Sequence, residues 1–179
     1  MTAYIALFHA LNVGGRKAPM AELRQMLDRL GYTGVKTYIQ SGNAVFASDD
    51  DAANVTAAIE AGFEKSFGYV SKVMLRDRGE IETAIAQSPY AGRTDDHKQL
   101  HVGFCAEPPA KEAIAAVNEI ESGGDEITAI GTTLYMFAPE GLGRSKMADK
   151  MNQKRFGLPL MTMRNWRTTL ILRDMLQEI

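Results

Sequence analysis

Two glycine-containing basic segments lie where the sequence pattern predicts that a strand is followed by a helix. They cover residues 12–17 and 141–146. Glycine lets backbone N–H groups approach a ligand closely, and adjacent arginine and lysine side chains favour an anion. Neither segment has the spacing of a phosphate-binding P-loop or of a dinucleotide fingerprint, so a turn that needs positive φ is the alternative interpretation. The candidate ligand residues are Asn12, Gly14, Gly15, Arg16, Lys17, Gly143, Arg144, Ser145 and Lys146.

The second basic segment carries an additional charge signal. In the first half, the corresponding loop ends in aspartates at positions 49–51, which the positive N-terminus of a helix prefers. Arg144 and Lys146 at the equivalent place are unfavourable unless an anion arrives. Ser145 is predicted to cap the helix, and that role needs no ligand. This reversal of charge, from aspartates in the first half to cations in the second, favours an anion site, and a plain charged loop remains the alternative.

Further polar candidates lie at a predicted hairpin tip and at the end of a strand. Turn chemistry explains Asn43, which tolerates positive φ, but it does not require Gln40 or Ser41. Arg164 precedes an N-cap asparagine and a tryptophan that suits the core. Gln40, Ser41 and Asn43 are therefore candidate ligand contacts, with plain turn chemistry as the favoured alternative. Arg164 is a candidate to complete an anion site beside the second basic segment.

Residues for nucleophilic or metal chemistry show no useful pattern. His9, His97 and His101 lack metal-ligand spacing, and no serine nucleophile elbow is present. His9 and His101 lie on predicted strands, where packed or hydrogen-bonded histidines are expected. Cys105 has no basic neighbour and is expected to be a small core residue. The sequence thus predicts no metal and no cofactor, and it leaves catalysis undecided.

The predicted elements repeat in order. Strands are expected at 4–11, 35–40, 44–47 and 72–76, and again at 101–105, 126–130, 133–137 and 158–163. Each half reads β-α-β-β-α-β-α, and its first six elements have the order of the ferredoxin-like split βαβ unit. The predicted fold class is α+β, a tandem duplication of that unit with an extra helix after each copy. The expected domains are residues 1–88 and 101–179, joined by a connector at 89–100.

Helix ends and apolar spacing add local predictions. Asp77 and Glu80 form a predicted capping box, and Pro19 suits the first position of a helix. In the last helix, Trp166, Leu170 and Met175 are expected to reach a core.

Composition restricts the protein class. The 179 residues are 45% hydrophobic and 23% charged, which is typical of globular proteins. No run reaches the roughly 20 apolar residues that span a bilayer, and the first residues lack the basic region of a signal peptide. One cysteine fits a reducing compartment, so we expect the protein in the cytoplasm. Residues 1–140 carry a net charge of −7 and residues 141–179 carry +5, which marks either an anionic partner or mutually attracting lobes.

A family resemblance rests on these same stretches. Residues 11–15 (Leu-Asn-Val-Gly-Gly), 19–23 (Pro-Met-Ala-Glu-Leu) and 37–43 (Thr-Tyr-Ile-Gln-Ser-Gly-Asn) resemble the bacterial domain-of-unknown-function 1697 family. Residues 141–146 and 164–166 are similar to its C-terminal signatures, so the resemblance extends over nearly the whole chain. The family usually carries Arg-Gly before the Asn-Val-Gly-Gly stretch, whereas this chain has His9 and Ala10, followed by Leu11. The resemblance implies two ferredoxin-like lobes and no particular activity.

Several functions are compatible with this pattern. The favoured hypothesis is a binding module for a small anionic ligand, such as a nucleotide or a phosphorylated metabolite. Nucleic-acid binding is an alternative, although the net charge is −2 and clustered strand aromatics are absent. An interaction or structural homodimer formed through a sheet edge is a further alternative, and no membrane partner is expected.

Overall fold

The computed structural model describes residues 1–12 and 14–179 and divides them into two compact units. The first unit comprises Met1–Glu82 together with Ile171–Ile179, and the second comprises Thr83–Leu170. Each unit contains one four-stranded antiparallel sheet. The fold is therefore mixed α+β with two similar halves. The predicted domain limits at residues 88 and 101 stay a prediction.

The first half consists of four strands and three helices. Its elements are β1 (Thr2–Phe8), α1 (Met20–Arg29), β2 (Thr33–Thr37), β3 (Asn43–Ser48), α2 (Ala52–Phe67), β4 (Val73–Asp77) and α3 (Arg78–Ala86). The strands pair in the order β2-β3-β1-β4.

The second half repeats this succession, with two short 3-10 helices added at Leu142–Arg144 and Lys154–Phe156. Its elements are β5 (Leu100–Cys105), α4 (Lys111–Asn118), β6 (Glu126–Ile130), β7 (Thr133–Phe137), α5 (Lys146–Met151), β8 (Met161–Asn165) and α6 (Trp166–Gln177). The strands pair in the order β6-β7-β5-β8, which is the order of the first sheet. Among the described residues, no helix is long and apolar enough to cross a membrane.

In each unit a core lies between one face of the sheet and its helices. Successive strand residues point to opposite faces, so Tyr4, Ala6 and Phe8 share one face of β1. These three pack in a cluster with Leu23 of α1 and Ile59 of α2.

The second unit has the corresponding arrangement. Met136 of β7 packs there with Val117 of α4 and Met147 of α5. The helices are thus positioned by an apolar stripe on one sheet face, as amphipathic patterning predicts.

Several local predictions are confirmed. The Asp77 N–H donates to Glu80 Oε2 at 2.8 Å and the Glu80 N–H donates to Asp77 Oδ1 at 2.8 Å, which is a reciprocal capping box. The hairpin strands at 126–130 and 133–137 have the predicted limits.

Other predicted ends of strands and helices were wrong. β1 ends at Phe8 rather than Leu11, because the chain turns at Ala10, whose φ is +52°. Pro19 occupies the N-cap position before α1 rather than the predicted first position of the helix, which is Met20. β8 covers Met161–Asn165 rather than residues 158–163, with its start set by pairing to Cys105.

The buried face of α6 also differs from the prediction. Trp166, Leu170 and Met175 are half-buried, whereas Leu172 and Leu176 are fully buried. Thr168 and Thr169 of α6 are buried as well, and a prediction based on apolar residues alone does not identify them.

Replacing Gly42 by alanine is expected to destabilise the protein by about 1–3 kcal/mol, the cost of a left-handed non-glycine residue plus steric conflict. Gly42 has φ +79°, and an added Cβ would lie 2.9 Å from Phe8 Cβ and 2.9 Å from Leu11 Cδ2. Urea denaturation measures the change. Gly92→Ala is the matched control, because no atom lies within 4 Å of its added Cβ. Equal stability of the two variants would contradict this packing.

Candidate functional site

In the first unit, the side chain of Asn12 makes hydrogen bonds that hold the basic loop after β1 in place. Its Oδ1 accepts the Ala18 N–H at 2.6 Å, and its Nδ2 donates to the Gln40 carbonyl at 2.8 Å. These bonds connect the loop to the β2–β3 turn, so the structure brings two of the predicted segments together. Val13, inside this loop, lies outside the described residues.

The β2–β3 turn contributes a second closely packed element. Asn43 is fully buried, and its Nδ2 donates to the Tyr38 carbonyl at 2.9 Å and to Ser41 Oγ at 3.0 Å. Gln40 and Ser41 are exposed on the turn. Asn43 therefore shapes the turn, while Gln40 and Ser41 present polar side chains at its surface.

Among the described residues of the β1–α1 loop and the β2–β3 turn, three other than glycine adopt positive φ. They are Ala10 at +52°, Asn12 at +57° and Ile39 at +50°. Ile39 is β-branched, for which this conformation is unfavourable, and it is also exposed. Such strain is held in place by surrounding contacts and often accumulates at functional surfaces.

The glycines and cations of the first loop are exposed. Gly14 and Gly15 have φ of +62° and +83°, as a turn requires, and no atom lies within 4 Å of an added Cβ at either. Both Arg16 and Lys17 are exposed, and the Arg16 guanidinium lies 5.2 Å from the centre of the Tyr69 ring, within cation–π range. Burial raises the pKa of Tyr69, and the Arg16 charge opposes that rise.

In the second unit, a cavity of about 480 Å³ lies beside the second basic segment, and we call it the His101 cavity. Glu140 and Arg144 form an exposed ion pair at 3.8 Å, with side chains 73% and 80% exposed. The lining comprises Lys98, His101, Glu140, Arg144 and Asn165, together with residues 141–143. It includes Gly143 and Arg144 from the predicted set.

His101 is the buried polar group of this cavity. It is 7% exposed, and its Nδ1 has no hydrogen-bond partner among the described residues. Desolvation lowers the pKa of His101 to about 4, so the ring is neutral near pH 7. The expectation of a packed or hydrogen-bonded histidine is confirmed for packing, while Nδ1 of the ring is buried without a partner among the described residues.

Strand pairing explains how His101 and Asn165 come together. They are directly opposite across the antiparallel β5–β8 pair, so their side chains lie on the same sheet face. Asn165 Oδ1 accepts the Thr168 N–H at 2.8 Å, which confirms its predicted capping role. The cavity is built where the end of the sheet meets the loop after β7.

Ser145 and Lys146 are not among the residues that line the His101 cavity with Arg144. Ser145 Oγ accepts the Ala148 N–H at 2.8 Å and donates to Asp125 Oδ2 at 2.7 Å, with both residues buried. The predicted cap is therefore confirmed. A carboxylate of the protein also supplies negative charge beside the start of α5, which offsets the apparent charge inversion.

Lys146 lines a separate cavity of about 440 Å³. Lys150, Arg155 and Glu119 line it as well. The structure thus separates the two cations that the sequence placed in one site.

Arg164 lies on the other face of the second sheet. It is 6% exposed, and its Nη1 donates to Thr162 Oγ1 at 2.6 Å and to the Met163 carbonyl at 2.9 Å. Burial lowers the pKa of Arg164 to about 10. Because neighbouring strand residues alternate faces, Arg164 points away from the face that carries Asn165 and His101.

Arg76 in the first unit has the corresponding position. It is opposite Ile5 in β1 as Arg164 is opposite Val102 in β5, and its Nη1 donates to the preceding carbonyl at 2.7 Å. Within the described part of the chain, no group of three His, Cys, Asp or Glu residues is placed to hold a metal ion.

Sequence reasoning missed Lys98 and Glu140 as cavity residues. They come together only when the connector and the loop after β7 meet at one end of the sheet. His101 had a detectable signal, because it is the one strongly polar side chain in the strand Leu100–Cys105.

The family described as "Protein of unknown function (DUF1697)" matches residues 1–135. The chain belongs to this family. The match ends before residues 141–146 and 164–166, so these suggested C-terminal signatures lie outside it. The solved structure of the conserved bacterial protein SP0830 from Streptococcus pneumoniae is similar, with 26% identity, 98% of each chain covered and a TM-score of 0.77. No curated protein matches, and membership in the DUF1697 family assigns no activity.

His101 is expected to make stability depend on pH. The unfolded chain binds a proton at this ring below about pH 6.5, whereas the folded protein binds it only below about pH 4. Wild-type stability should therefore fall between pH 6.5 and 4 by about 2–3 kcal/mol more than that of His101→Gln. Urea denaturation at pH 7.5 and 4.5 measures the difference. His97→Gln, at an exposed histidine, should follow wild type, and parallel wild-type and His101→Gln curves would disprove the effect.

The hydrogen bonds of Asn12 give a second expectation. Asn12→Gly tolerates φ of +57° but removes the side-chain bonds, so we expect a loss of about 1–3 kcal/mol. Amide hydrogen exchange at residues 14–18 should also become faster. Asn12→Asp keeps the acceptor for Ala18 and should have an intermediate effect. Unchanged exchange in Asn12→Gly would mean that other contacts hold the loop.

Proposed function

We propose that the protein is a binding module for a small anionic ligand and that the His101 cavity is its binding site. The observation that carries the proposal is the combination of two exposed cations, Lys98 and Arg144, with the polar side chains of His101 and Asn165 in the lining of one cavity. The cations supply the attraction for negative charge.

Arg144 is available for such a ligand at low cost. Its ion pair with Glu140 is long, at 3.8 Å, and both side chains are largely exposed. Exposed ion pairs contribute little to stability because water and salt screen them. An incoming phosphate, which accepts charge-assisted hydrogen bonds from arginine, replaces Glu140 with a stronger partner.

Nucleic-acid binding is less well supported than a small ligand. RNA-binding sheets present aromatic side chains on an open face for base stacking. In the first unit, Tyr4 and Phe46 belong to the helix-covered core, and Tyr32 stacks on Phe46 at 4.5 Å. These rings are already packed in the interior.

We also propose the finer form of the fold, a tandem duplication of a ferredoxin-like unit. The shared strand order, equivalent to 4-1-3-2, supports it. Arg76 and Arg164 occupy equivalent positions near the end of the last strand of each half, which supports the duplication as well.

We also propose that the protein is cytoplasmic. The single cysteine of the chain, Cys105, is free and buried, which is in keeping with a reducing compartment.

The first segment remains a candidate ligand surface in this proposal. Gly14, Gly15, Arg16, Lys17, Gln40 and Ser41 lie around one anchored loop and turn. The proposal assigns them a secondary place, since these six residues are exposed and line neither the His101 cavity nor the cavity at Lys146.

Arg144→Ala is expected to abolish most of the stabilisation by inorganic phosphate. Thermal unfolding in low salt, where screening is weak, measures the response. A ligand at about 100 times its dissociation constant should stabilise wild type by roughly 2.7 kcal/mol. Lys111→Ala, which removes an exposed lysine away from the cavity, is the charge-matched control.

Lys146→Ala tests the competing location. Lys146 lines the second cavity, so its removal should leave the phosphate response intact. A response lost in Lys146→Ala but kept in Arg144→Ala would move the site there, and absence of any wild-type response would reject the proposed function.

A further inference from the structure

Two segments of the second unit, the connector before β5 and the loop after β7, supply the cations of the His101 cavity. Lys98 belongs to the connector, and Arg144 belongs to the loop. The segments approach closely, because an added Cβ at Gly141 would lie 3.6 Å from the Lys98 carbonyl oxygen. The relative position of the two cations therefore depends on the bonds that hold the connector against the loop.

Gln99 joins these two segments through both its main chain and its side chain. Its carbonyl accepts the Ala138 N–H at 2.8 Å, and its Nε2 donates to the Pro139 carbonyl at 2.7 Å. Gln99 directly follows Lys98, while Ala138 and Pro139 begin the loop that carries Arg144. The Gln99 amide thus makes a side-chain hydrogen bond from one cation-bearing segment to the other.

Thr94 sets the orientation of the Gln99 amide. Thr94 Oγ1 accepts the Asp96 N–H at 3.0 Å, so its own proton is available to donate to Gln99 Oε1, which lies at 2.6 Å. With its oxygen engaged by Thr94, the amide presents its N–H donors to Pro139. Asp96 Oδ1 also accepts the Lys98 N–H at 2.9 Å. The connector is therefore held by hydrogen bonds on both sides of Lys98.

We propose, on the basis of the proposed function above, that Gln99 is a positioning residue of the anion site, because it holds the Lys98 backbone beside the loop of Arg144. Both cationic side chains are exposed, so each loses conformational freedom when it binds an anion. Segments that are already held in place spare the ligand the further cost of ordering them. Lys98 and Arg144 then bind one phosphate together rather than as two independent charges.

Gln99→Met tests this role, because methionine has a similar length and makes neither of the two side-chain hydrogen bonds. Backbone amide resonances of residues 141–144, followed during titration with inorganic phosphate at low salt, give the dissociation constant. Gln99→Met should bind phosphate about five- to tenfold more weakly than wild type, because the ligand must restore the order that one hydrogen bond supplied. Gln153→Met, at an exposed glutamine that does not line the cavity, should bind as wild type does.

A double-mutant cycle with Lys98→Ala distinguishes positioning from a general loss of stability. In wild type, Lys98→Ala should weaken phosphate binding about threefold, as expected for one exposed charge, whereas in Gln99→Met it should cause almost no further loss. Losses that are equal in the two backgrounds would overturn the positioning role, as would an unaltered dissociation constant in Gln99→Met. Absence of phosphate binding in wild type would instead reject the proposed function, and this role with it.

Two variants of Thr94 decide the question if Gln99→Met does not fold. Thr94→Val has nearly the same shape but lacks the hydroxyl that orients the Gln99 amide, whereas Thr94→Ser retains a hydroxyl. Thr94→Val should weaken phosphate binding, and Thr94→Ser should keep the dissociation constant of wild type. Equal dissociation constants for these two variants would overturn the positioning role of the Gln99 amide.

Discussion

Antiparallel pairing on both sides of the central strand decides which polar groups of the second unit can meet. β5 lies between β7 and β8, and its register puts His101 opposite Met136 on one side and Asn165 on the other. Side chains that are directly opposite share a sheet face. The same pairing puts Arg164 beside Val102 and therefore on the other face. A register shift by one residue would reverse both assignments.

This constraint places an ionisable ring at the edge of an apolar core. Met136, next to His101, belongs to the cluster that packs on α4 and α5. The ring is desolvated by its surroundings, and its Nδ1 gains no protein partner among the described groups. A buried polar atom without a partner is costly for stability, so the pairing register of β5 fixes a local destabilising feature of the second unit.

The two basic segments of the chain have different structural roles. The first is an anchored loop, where the side chain of Asn12 bonds the Gln40 carbonyl and where Ala10 and Asn12 have positive φ. The second is divided: Arg144 lines the His101 cavity, Ser145 caps a helix and bonds Asp125, and Lys146 lines another cavity. Similar composition therefore does not give similar surroundings, because the partner residues come from different elements.

The sequence by itself determined the features that depend on neighbours in the chain. Apolar spacing gave the succession of strands and helices, the Asp77–Glu80 pair gave the capping box, and Ser145 gave a cap, since each of these contacts spans only a few residues. Gly143 and Arg144 were also identified as candidates from the sequence. The tertiary structure decided which distant residues join them: Lys98, Glu140 and His101 reach one cavity through strand pairing and loop packing, and Arg164 is turned to the opposite face. Sequence spacing carries no information about these contacts, because register and face are fixed by long-range backbone pairing rather than by local preference.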